Sequence, residues 1–394
     1  MLGSPAEVSD IIATIRRAAH DTEPVAGLTH CHYRYPARFS PQFVSAAIEN
    51  LSKPGDVVLD PYMGGGTTIV EAMAKGRLAV GCDINSLAVF IAGVKTTFLT
   101  KRQSAELLTW AEDIVPRLMY HTVVPNLYDV ICEKRTRNLD LPRARAIKKF
   151  IAMVLLSLDE LSSDSVQAFA RCALLNVSQW ALNGSKRQVS LPEFRLRLTS
   201  TTQEMVAAAQ SYRDCFDQVK GRKPSPVLVH GSSESLDTHS YFKNGALCDL
   251  VVTSPPYPGV HVLYHRWQVD GRKETPAPYW IANCLDGQGA SYYNFGSRKQ
   301  ESHDDYFESS LKTLKGIRTV MRDEAVMVQM VAFSDPKSQL PRYLENMSAA
   351  GFSEVKGEKA LRRIWRGVPR RSWHAELQGN THSAREVVLI HTTT

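Results

Sequence analysis

The feature that most limits the fold of this 394-residue chain is an alternation of strand-like and helix-like segments between residues 56 and 98. The apolar run VVLD leads into a glycine-rich turn and the helical stretch TTIVEAMAKG. A second apolar run, LAVGCD, leads into another helix. Strands that alternate with helices in this way form parallel sheets covered by helices. The segment therefore predicts an α/β fold.

Beyond Thr100 the spacing of apolar residues changes and becomes helical over a long stretch. The helical segments lie at 107–120, 144–161, 165–182 and 203–219. Strand-like runs resume at 226–230, 246–254, 325–333 and 385–391, with a helix at 306–321. One sheet assembled from both sides of a helical insertion explains this order. We expect a first core half at 1–100, the insertion at 101–223 and a second core half at 224–394.

Composition excludes several classes of protein. Hydrophobic residues make up 43% of the chain and charged residues 22%, which is typical of a folded globular protein. The seven cysteines lie at least 33 residues apart, so no pair has the spacing of a zinc site, and we expect reduced thiols in the cytoplasm. No apolar run approaches the ~20 residues that cross a bilayer, and the first residues lack a signal-peptide pattern. We therefore expect no membrane association and no metal.

The segment 59–68 follows the first predicted strand, at the sheet edge where open α/β folds bind ligands. Its three consecutive glycines let the backbone approach a bound molecule, although they equally serve a tight turn without a ligand. Asp83 ends the next strand 23 residues after Asp60, where a carboxylate accepts hydrogen bonds from ribose hydroxyls. Neither a dinucleotide fingerprint nor a P-loop is present. A cofactor with a ribose but no phosphate is favoured, and S-adenosylmethionine fits.

A second turn, Thr253-Ser254-Pro255-Pro256-Tyr257, follows the apolar run at 248–252. Two prolines cannot extend a central strand, and they make the turn rigid. Its carbonyl groups, the Ser254 hydroxyl and the Tyr257 ring suit a planar amine, which needs acceptors and a stacking face. Acceptors aimed at an exocyclic amine keep its nitrogen lone pair available for attack. A plain proline-rich loop is the alternative.

These segments resemble the motifs of the amino-group DNA methyltransferases. TSPPY is similar to the family's catalytic motif, in the serine variant most typical of cytosine-N4 enzymes. DPYMGGGTT resembles the cofactor motif, and HYRYPARF resembles the stretch that flanks the methionine part of the cofactor. The resemblance covers residues 30–100 and 225–335. It implies a Rossmann-like class I methyltransferase sheet, interrupted by the helical insertion, that binds S-adenosyl-L-methionine.

The resemblance also implies two groups of site residues. The target base would leave the duplex, stack on Tyr257 and be held by Ser254 and the Pro255 carbonyl, and its amine would attack the cofactor methyl directly. Where the family often has an acid after the third strand, this chain has Ser232. The implied catalytic residues are Ser254, Pro255, Pro256 and Tyr257. The implied cofactor-binding residues are Tyr35, Pro36, Asp60, Pro61, Tyr62, Gly64, Gly66, Thr67, Asp83, Ile84, Asn85 and Ser232.

The net charge of +7 is concentrated in two places. Residues 101–223 hold 19 Lys and Arg against 13 Asp and Glu, and the segment 361–374 has five arginines, two tryptophans and no acid. Arginines beside aromatic rings suit phosphate contact and stacking, although a solvated loop has the same composition. The aromatic stretch 261–298 lacks periodicity and predicts a DNA-contacting loop at 258–303. The predicted DNA-binding residues are Arg266, Arg272, Arg362, Arg363, Arg366, Arg370 and Arg371.

The interpretation we favour is a site-specific methyltransferase acting on N4 of cytosine in double-stranded DNA. Adenine N6 is the alternative target, and an RNA amino-methyltransferase is the first rival. A nucleic-acid-binding protein with an inactive methyltransferase-like core is the second rival, although both motifs are intact. We expect a restriction-modification or related bacterial system with a cognate restriction or defence partner. We also expect a monomer or homodimer whose helical insertion reads the DNA sequence.

Overall fold

The structure is a computed structural model of the whole chain. It describes all residues except 1–3, 24, 37–38, 124–129, 132, 185–187, 220–224, 259–265, 272, 286–294, 296–301, 334, 356–362 and 368–384. The strands are β1 (Val57–Asp60), β2 (Leu78–Asp83), β3 (Val227–His230), β4 (Cys248–Thr253), β5 (Trp267–Val269), β6 (Lys273–Thr275), β7 (Met321–Ala332), β8 (Phe352–Glu354), β9 (Ile364–Gly367) and β10 (Arg385–Thr393).

The helices surround the sheet and fill the long interval between β2 and β3. They are α1 (Pro5–Ala19), α2 (Pro41–Leu51), α3 (Thr67–Ala74), α4 (Ser86–Thr96), α5 (Lys101–Arg117), α6 (Arg145–Leu156), α7 (Asp164–Leu182), α8 (Leu191–Gln218), α9 (Ser240–Lys243), α10 (Ala277–Ala282), α11 (Ser302–Thr319) and α12 (Pro336–Ala349). Short 3-10 helices lie at Leu28–His32, Ser157–Glu160 and Ser233–Thr238.

The central sheet has eight strands, and seven of them follow the order β3-β2-β1-β4-β7-β10-β8, with β9 paired to β10. Strands β3, β2, β1, β4 and β7 are parallel, whereas β10 runs antiparallel to its neighbours. This topology confirms the predicted Rossmann-like class I methyltransferase sheet. The helices α5 to α8 interrupt it between β2 and β3, as the change in apolar spacing at Thr100 indicated.

The sheet is buried on both faces. Alternate residues of its central strands belong to two hydrophobic clusters, because successive side chains of a strand point to opposite faces. Val58 and Val252 pack in one cluster with α1, α2 and α3. Leu59 and Val251 pack in the other with α11 and α12. Continuous apolar runs such as VVLD are therefore the sequence pattern of strands covered on both sides.

A third hydrophobic cluster belongs to the helical insertion. It joins α5, α6, α7 and α8 to Tyr33 and Tyr35 before the sheet, and to the hairpin β5–β6 with α10 after the catalytic turn. The prediction of an irregular loop at 258–303 is wrong for residues 267–269, 273–275 and 277–282, which form β5, β6 and α10. Trp267, Tyr279 and Trp280 are buried in this cluster, so these three aromatic side chains stabilise packing.

Capping residues explain where the helices of the insertion begin. Thr100 and Gln103 form a capping box at α5, and Ser190 and Glu193 form one at α8. The α8 helix therefore begins at residue 191, although the apolar spacing predicted a helix only from 203. Leu191, Phe194 and Leu198 are buried at helical spacing in its first turns, so this pattern and the cap were the available signals. In the part of the chain that the structure describes, no helix is long and apolar enough to span a membrane.

Candidate active site

One cavity lies at the carboxyl ends of β1, β2 and β4. Its empty space is about 1100 Å³, including the part open to solvent, which suits a ligand of nucleoside size with a further group beside it. All four predicted catalytic residues line it, as do the predicted cofactor residues other than Gly66. The structure thus brings together residues that lie almost 200 positions apart in the chain.

The glycine turn between β1 and α3 is required mainly by its own packing. Gly64 and Gly66 have φ of +46° and +73°, which favours glycine at both positions. A Cβ on Gly65 would lie 2.7 Å from Cβ of Tyr35, and one on Gly66 would lie 2.9 Å from Cβ of Ala92. Gly66 does not line the cavity, and its positive φ gives it a conformational role at the start of α3. Its contact with a cofactor stays a prediction.

The side chains of Lys95 and Asn85 support this turn from outside. The buried Lys95 of α4 donates from Nζ to the carbonyl of Gly65 at 2.7 Å. Asn85 donates from Nδ2 to the Tyr35 hydroxyl at 3.1 Å, and its Oδ1 accepts from the Tyr279 hydroxyl at 2.9 Å. The start of α4 and the helix α10 therefore position Tyr35 against the glycines.

Asp83 links the glycine turn to the start of α4. Its two carboxylate oxygens accept from the amide of Gly64 at 2.9 Å and from the amide of Asn85 at 2.8 Å. Burial raises the pKa of Asp83 to about 6, while these two amide donors act to lower it. The carboxylate lines the cavity with its position fixed on both sides.

Asp60 has a different environment, although it also lines the cavity. Its Oδ1 accepts from the hydroxyl of Thr253 at 2.6 Å and from the amide of Tyr62 at 3.2 Å. Burial raises the pKa of Asp60 to about 6, and the Thr253 hydroxyl opposes this rise. Since Thr253 directly precedes Ser254, this contact fixes the Ser-Pro-Pro-Tyr turn relative to the glycine turn.

The Ser-Pro-Pro-Tyr turn is held by hydrogen bonds to three other elements, through two side chains and one backbone carbonyl. Ser254 Oγ lies 3.0 Å from the Tyr257 hydroxyl and 3.0 Å from the carbonyl oxygen of Met330 in β7. The Tyr257 hydroxyl lies 3.1 Å from Oε1 of Glu386 in β10. The Tyr306 hydroxyl of α11 donates to the carbonyl of Pro256 at 2.8 Å. The turn is therefore rigid for reasons beyond its two prolines.

Several residues of the cavity were not predicted from the motifs. They come from neighbours of the motifs or from distant elements, which local patterns do not reveal. Phe295 is an example, since its ring lies 6.0 Å from that of Tyr62 in an edge-to-face arrangement. The unpredicted lining residues are Phe39, Met63, Gly65, Ser233, Phe295 and Thr313.

The described arginines of the predicted DNA-binding set do not reach the cavity. Arg363 pairs with Glu354 at 2.7 Å and Arg366 pairs with Glu386 at 2.7 Å, so both have partners within the protein. Arg266 directly precedes β5 and is partly buried. Their contacts with DNA stay predictions. Arg272, Arg362, Arg370 and Arg371 lie outside the described residues.

The cavity fits S-adenosylmethionine in its chemistry. The carboxylate of Asp83 suits two ribose hydroxyls, and the apolar walls at Pro61 and Ile84 suit a flat base. None of the described residues that line the cavity is a lysine or an arginine, which suits a nucleoside without phosphate groups. Among the described residues, no group of three or more His, Cys, Asp or Glu side chains could hold a metal ion.

Comparisons with known proteins agree with this chemistry. Residues 13–92 match the N6/N4 family model described as DNA methylase. The chain is 28% identical over 252 residues to the Type II methyltransferase M.MvaI of Kocuria varians, covering 58% of this chain and 53% of that relative. It is 38% identical over 68 residues to the Type II methyltransferase M.MjaII of Methanocaldococcus jannaschii, covering 17% and 13%. The chain thus spans about half of the first relative and a small part of the second.

Similarity to solved structures is low. TrmN from Thermus thermophilus aligns with a TM-score of 0.33 at 10% identity, covering 90% of this chain and 49% of that chain. The rRNA methyltransferase aviRa from Streptomyces viridochromogenes aligns with a TM-score of 0.31 at 10% identity, covering 97% and 92%. These scores are too low to bear on substrate or mechanism.

Proposed function

We propose that this chain is an S-adenosylmethionine-dependent DNA amino-methyltransferase, as its similarity to the DNA methylase model and to two Type II methyltransferases supports, and that it methylates an exocyclic amine in double-stranded DNA, preferably N4 of cytosine. One observation carries this proposal: the glycine turn and the Ser-Pro-Pro-Tyr turn line the same cavity. Direct transfer between two bound molecules requires that their binding residues face one space.

On the cofactor side, Asp83 accepts hydrogen bonds from the ribose hydroxyls in this proposal. Tyr35 and Pro36 line the cavity beside the glycine turn, where the methionine part would lie. S-adenosylmethionine supplies an electrophilic methyl group when bound. Asp60 acts within the protein, since its Oδ1 accepts from Thr253 and Tyr62. Its contribution is to hold the two turns at a fixed separation.

On the target side, the base leaves the duplex and stacks on Tyr257, because its amine cannot be reached inside the helix. Ser254 Oγ and the carbonyl of Pro255 accept the amine hydrogens. The nitrogen lone pair is thereby turned away from the ring and toward the methyl group. Direct attack needs no covalent enzyme intermediate. The chain also lacks the Pro-Cys motif that cytosine-C5 chemistry uses for its nucleophile.

The serine in Ser-Pro-Pro-Tyr supports cytosine N4 over adenine N6, because this variant resembles the N4 enzymes. The names of the relatives, both Type II methyltransferases, support a role beside a cognate restriction enzyme. The helical insertion is our candidate for sequence recognition, because it holds most of the extra chain between the cofactor and catalytic motifs. Its positive charge would add non-specific affinity for the phosphate backbone. We propose that the protein acts as a monomer or homodimer.

The test is to identify the product. Purified protein, S-adenosylmethionine and unmethylated duplex DNA are incubated, and the DNA is digested to nucleosides for mass spectrometry. N4-methyl-2′-deoxycytidine is the expected product. Bulk RNA is tested in parallel as an alternative substrate. N6-methyladenine would correct the target base. Methylation of RNA alone, or failure to bind S-adenosylmethionine, would overturn the proposal.

Two variants test the assigned turn. Ser254→Ala and Tyr257→Ala should each lower methyl transfer by at least about 100-fold. Ser254 supplies the acceptor for the reacting amine, and Tyr257 supplies the face on which the base stacks. Calorimetry should find cofactor affinity within about threefold of wild type for both variants. Ser9→Ala, on α1 and outside the cavity, is the matched control and should keep full activity. Retained activity in both turn variants would refute the catalytic assignment.

A further inference from the structure

We propose that Glu386 is a positioning residue that fixes the hydrogen-bond direction of Ser254 through the hydroxyl of Tyr257. The inference rests on the proposed function. Glu386 belongs to β10, more than 120 residues beyond the catalytic turn, and none of the sequence motifs includes it. Its side chain is buried, with one oxygen 3.1 Å from the Tyr257 hydroxyl.

The other carboxylate oxygen of Glu386 is held by Arg366. The guanidinium donates from Nε at 2.8 Å and from an Nη atom at 2.7 Å, and the two residues are direct cross-strand partners in β10 and β9. Arg366 also donates to the carbonyl of Ala19 at 3.0 Å. A carboxylate paired in this way is fixed in position and can only accept hydrogen bonds.

The acceptor character of Glu386 sets the direction of the whole chain of hydrogen bonds. The Tyr257 hydroxyl must donate its hydrogen to Glu386, which leaves the phenol oxygen as an acceptor. The hydrogen of Ser254 Oγ then points to Tyr257 or to the carbonyl of Met330, both of which accept. The remaining lone pairs of Ser254 are available to accept an N–H, which is what an attacking exocyclic amine presents.

Without the carboxylate this direction is lost. A glutamine at position 386 can donate from its amide to the phenol oxygen, and the Tyr257 hydrogen is then free to point to Ser254. That hydrogen would occupy one of the two lone pairs of Ser254 Oγ and compete with the amine for this acceptor. In Tyr257→Phe there is no phenol hydrogen to compete with the amine for Ser254. Ser254 can still donate to the carbonyl of Met330. The effect of Glu386→Gln should therefore depend on Tyr257, which a general loss of stability would not.

The experiment is a double-mutant cycle of Glu386→Gln and Tyr257→Phe, with kcat and KM measured for duplex DNA methylation. Glu386→Gln should lower kcat about tenfold, because the loss of a hydrogen bond to a charged group is enough to slow a reaction by about this factor. KM for S-adenosylmethionine should stay within twofold of the wild-type value. In the Tyr257→Phe background the same substitution should change kcat less than twofold. Glu354→Gln breaks the comparable ion pair with Arg363, away from Tyr257, and should leave kcat unchanged in both backgrounds.

An equal loss in both backgrounds, or no loss in wild type, would overturn the positioning role. A second measurement does not need turnover. In protein labelled with 13Cζ tyrosine, the Tyr257 resonance is identified by its absence in Tyr257→Phe. Glu386→Gln should shift it and Glu354→Gln should not, and an unshifted resonance in Glu386→Gln would disprove the contact. If wild type methylates no substrate, the proposed function fails, while this spectrum still decides whether Glu386 directs Tyr257.

Discussion

At the scale of single residues, Asp83 connects the local structure of the glycine turn to ligand binding. Both of its oxygens accept backbone amides, and burial raises its pKa to about 6. A ribose hydroxyl donates best to the ionised form. Cofactor affinity should therefore fall as the pH drops below about 6, by up to about tenfold per pH unit.

Asp83→Asn should weaken S-adenosylmethionine binding about tenfold at pH 7.5 and remove most of this pH dependence. Calorimetric titrations from pH 5 to pH 8 measure both effects. Asp60→Asn is the matched control, because burial raises the pKa of Asp60 to about 6 as well, yet its Oδ1 accepts from Thr253 and Tyr62. The control should keep the pH dependence. A pH dependence that survives in Asp83→Asn would refute the ribose role.

At the scale of elements, the glycine turn depends on α4 as well as on its own sequence. Lys95 is buried and holds the carbonyl of Gly65 at 2.7 Å. Lys95→Met keeps the length of the side chain and removes the donor. The carbonyl is then left without this partner, at a cost of about 1–3 kcal/mol. Cofactor affinity should fall about tenfold, because the turn that lines the cavity is no longer fixed.

Calorimetry and denaturant unfolding together test this prediction. Lys75→Met is the matched control, since Lys75 follows α3 at the surface and pairs with Glu49. It should change cofactor affinity less than twofold and stability by less than about 1 kcal/mol. Unchanged affinity in Lys95→Met would mean that the glycines alone maintain the turn.

The elements of the fold differ in how well the sequence predicts them. Strands β1, β2 and β4 are continuous apolar runs at motif boundaries, so pattern and position agreed. The hairpin β5–β6 and α10 were missed, because elements of three to six residues carry too few periods to recognise. Their stability comes from packing on the helical insertion, which local sequence does not encode.

The residues of the candidate site also divide into those that the sequence predicts and those that it does not. Residues such as Asp83 and Ser254 were predicted because each lies in a motif that ends a strand. Tyr306, Phe295 and Glu386 reach the site from elements far along the chain. Only the order of strands in the sheet brings β10 next to β7 and hence Glu386 to the catalytic turn. That order results from long-range packing, which a single sequence does not reveal.

At the scale of the whole molecule, buried titratable groups make stability depend on pH. Burial raises the pKa of Asp60 and of Asp83 from 3.8 to about 6, so the folded protein binds their protons more tightly than the unfolded chain. Their stabilising contribution is complete below about pH 4 and is lost as the pH rises through 6. His32 acts in the opposite direction, because burial and Lys95 lower its pKa to about 3, which costs stability as the pH falls below 6.5.

The contribution of one carboxyl can be isolated by comparing stability differences at two pH values. Asparagine cannot ionise at this position. The free energy of unfolding of Asp60→Asn, minus that of wild type, should therefore be higher at pH 7.5 than at pH 4. The change should be roughly 3 kcal/mol, which corresponds to a shift of about two pKa units. Urea unfolding at both pH values measures it, and other titrating groups cancel in the difference. Ser9→Ala, which removes no titrating group, should give the same difference at both pH values. A pH-independent difference for Asp60→Asn would mean that the pKa of Asp60 is the same in the folded and the unfolded protein, and that its bond to Thr253 offsets its burial.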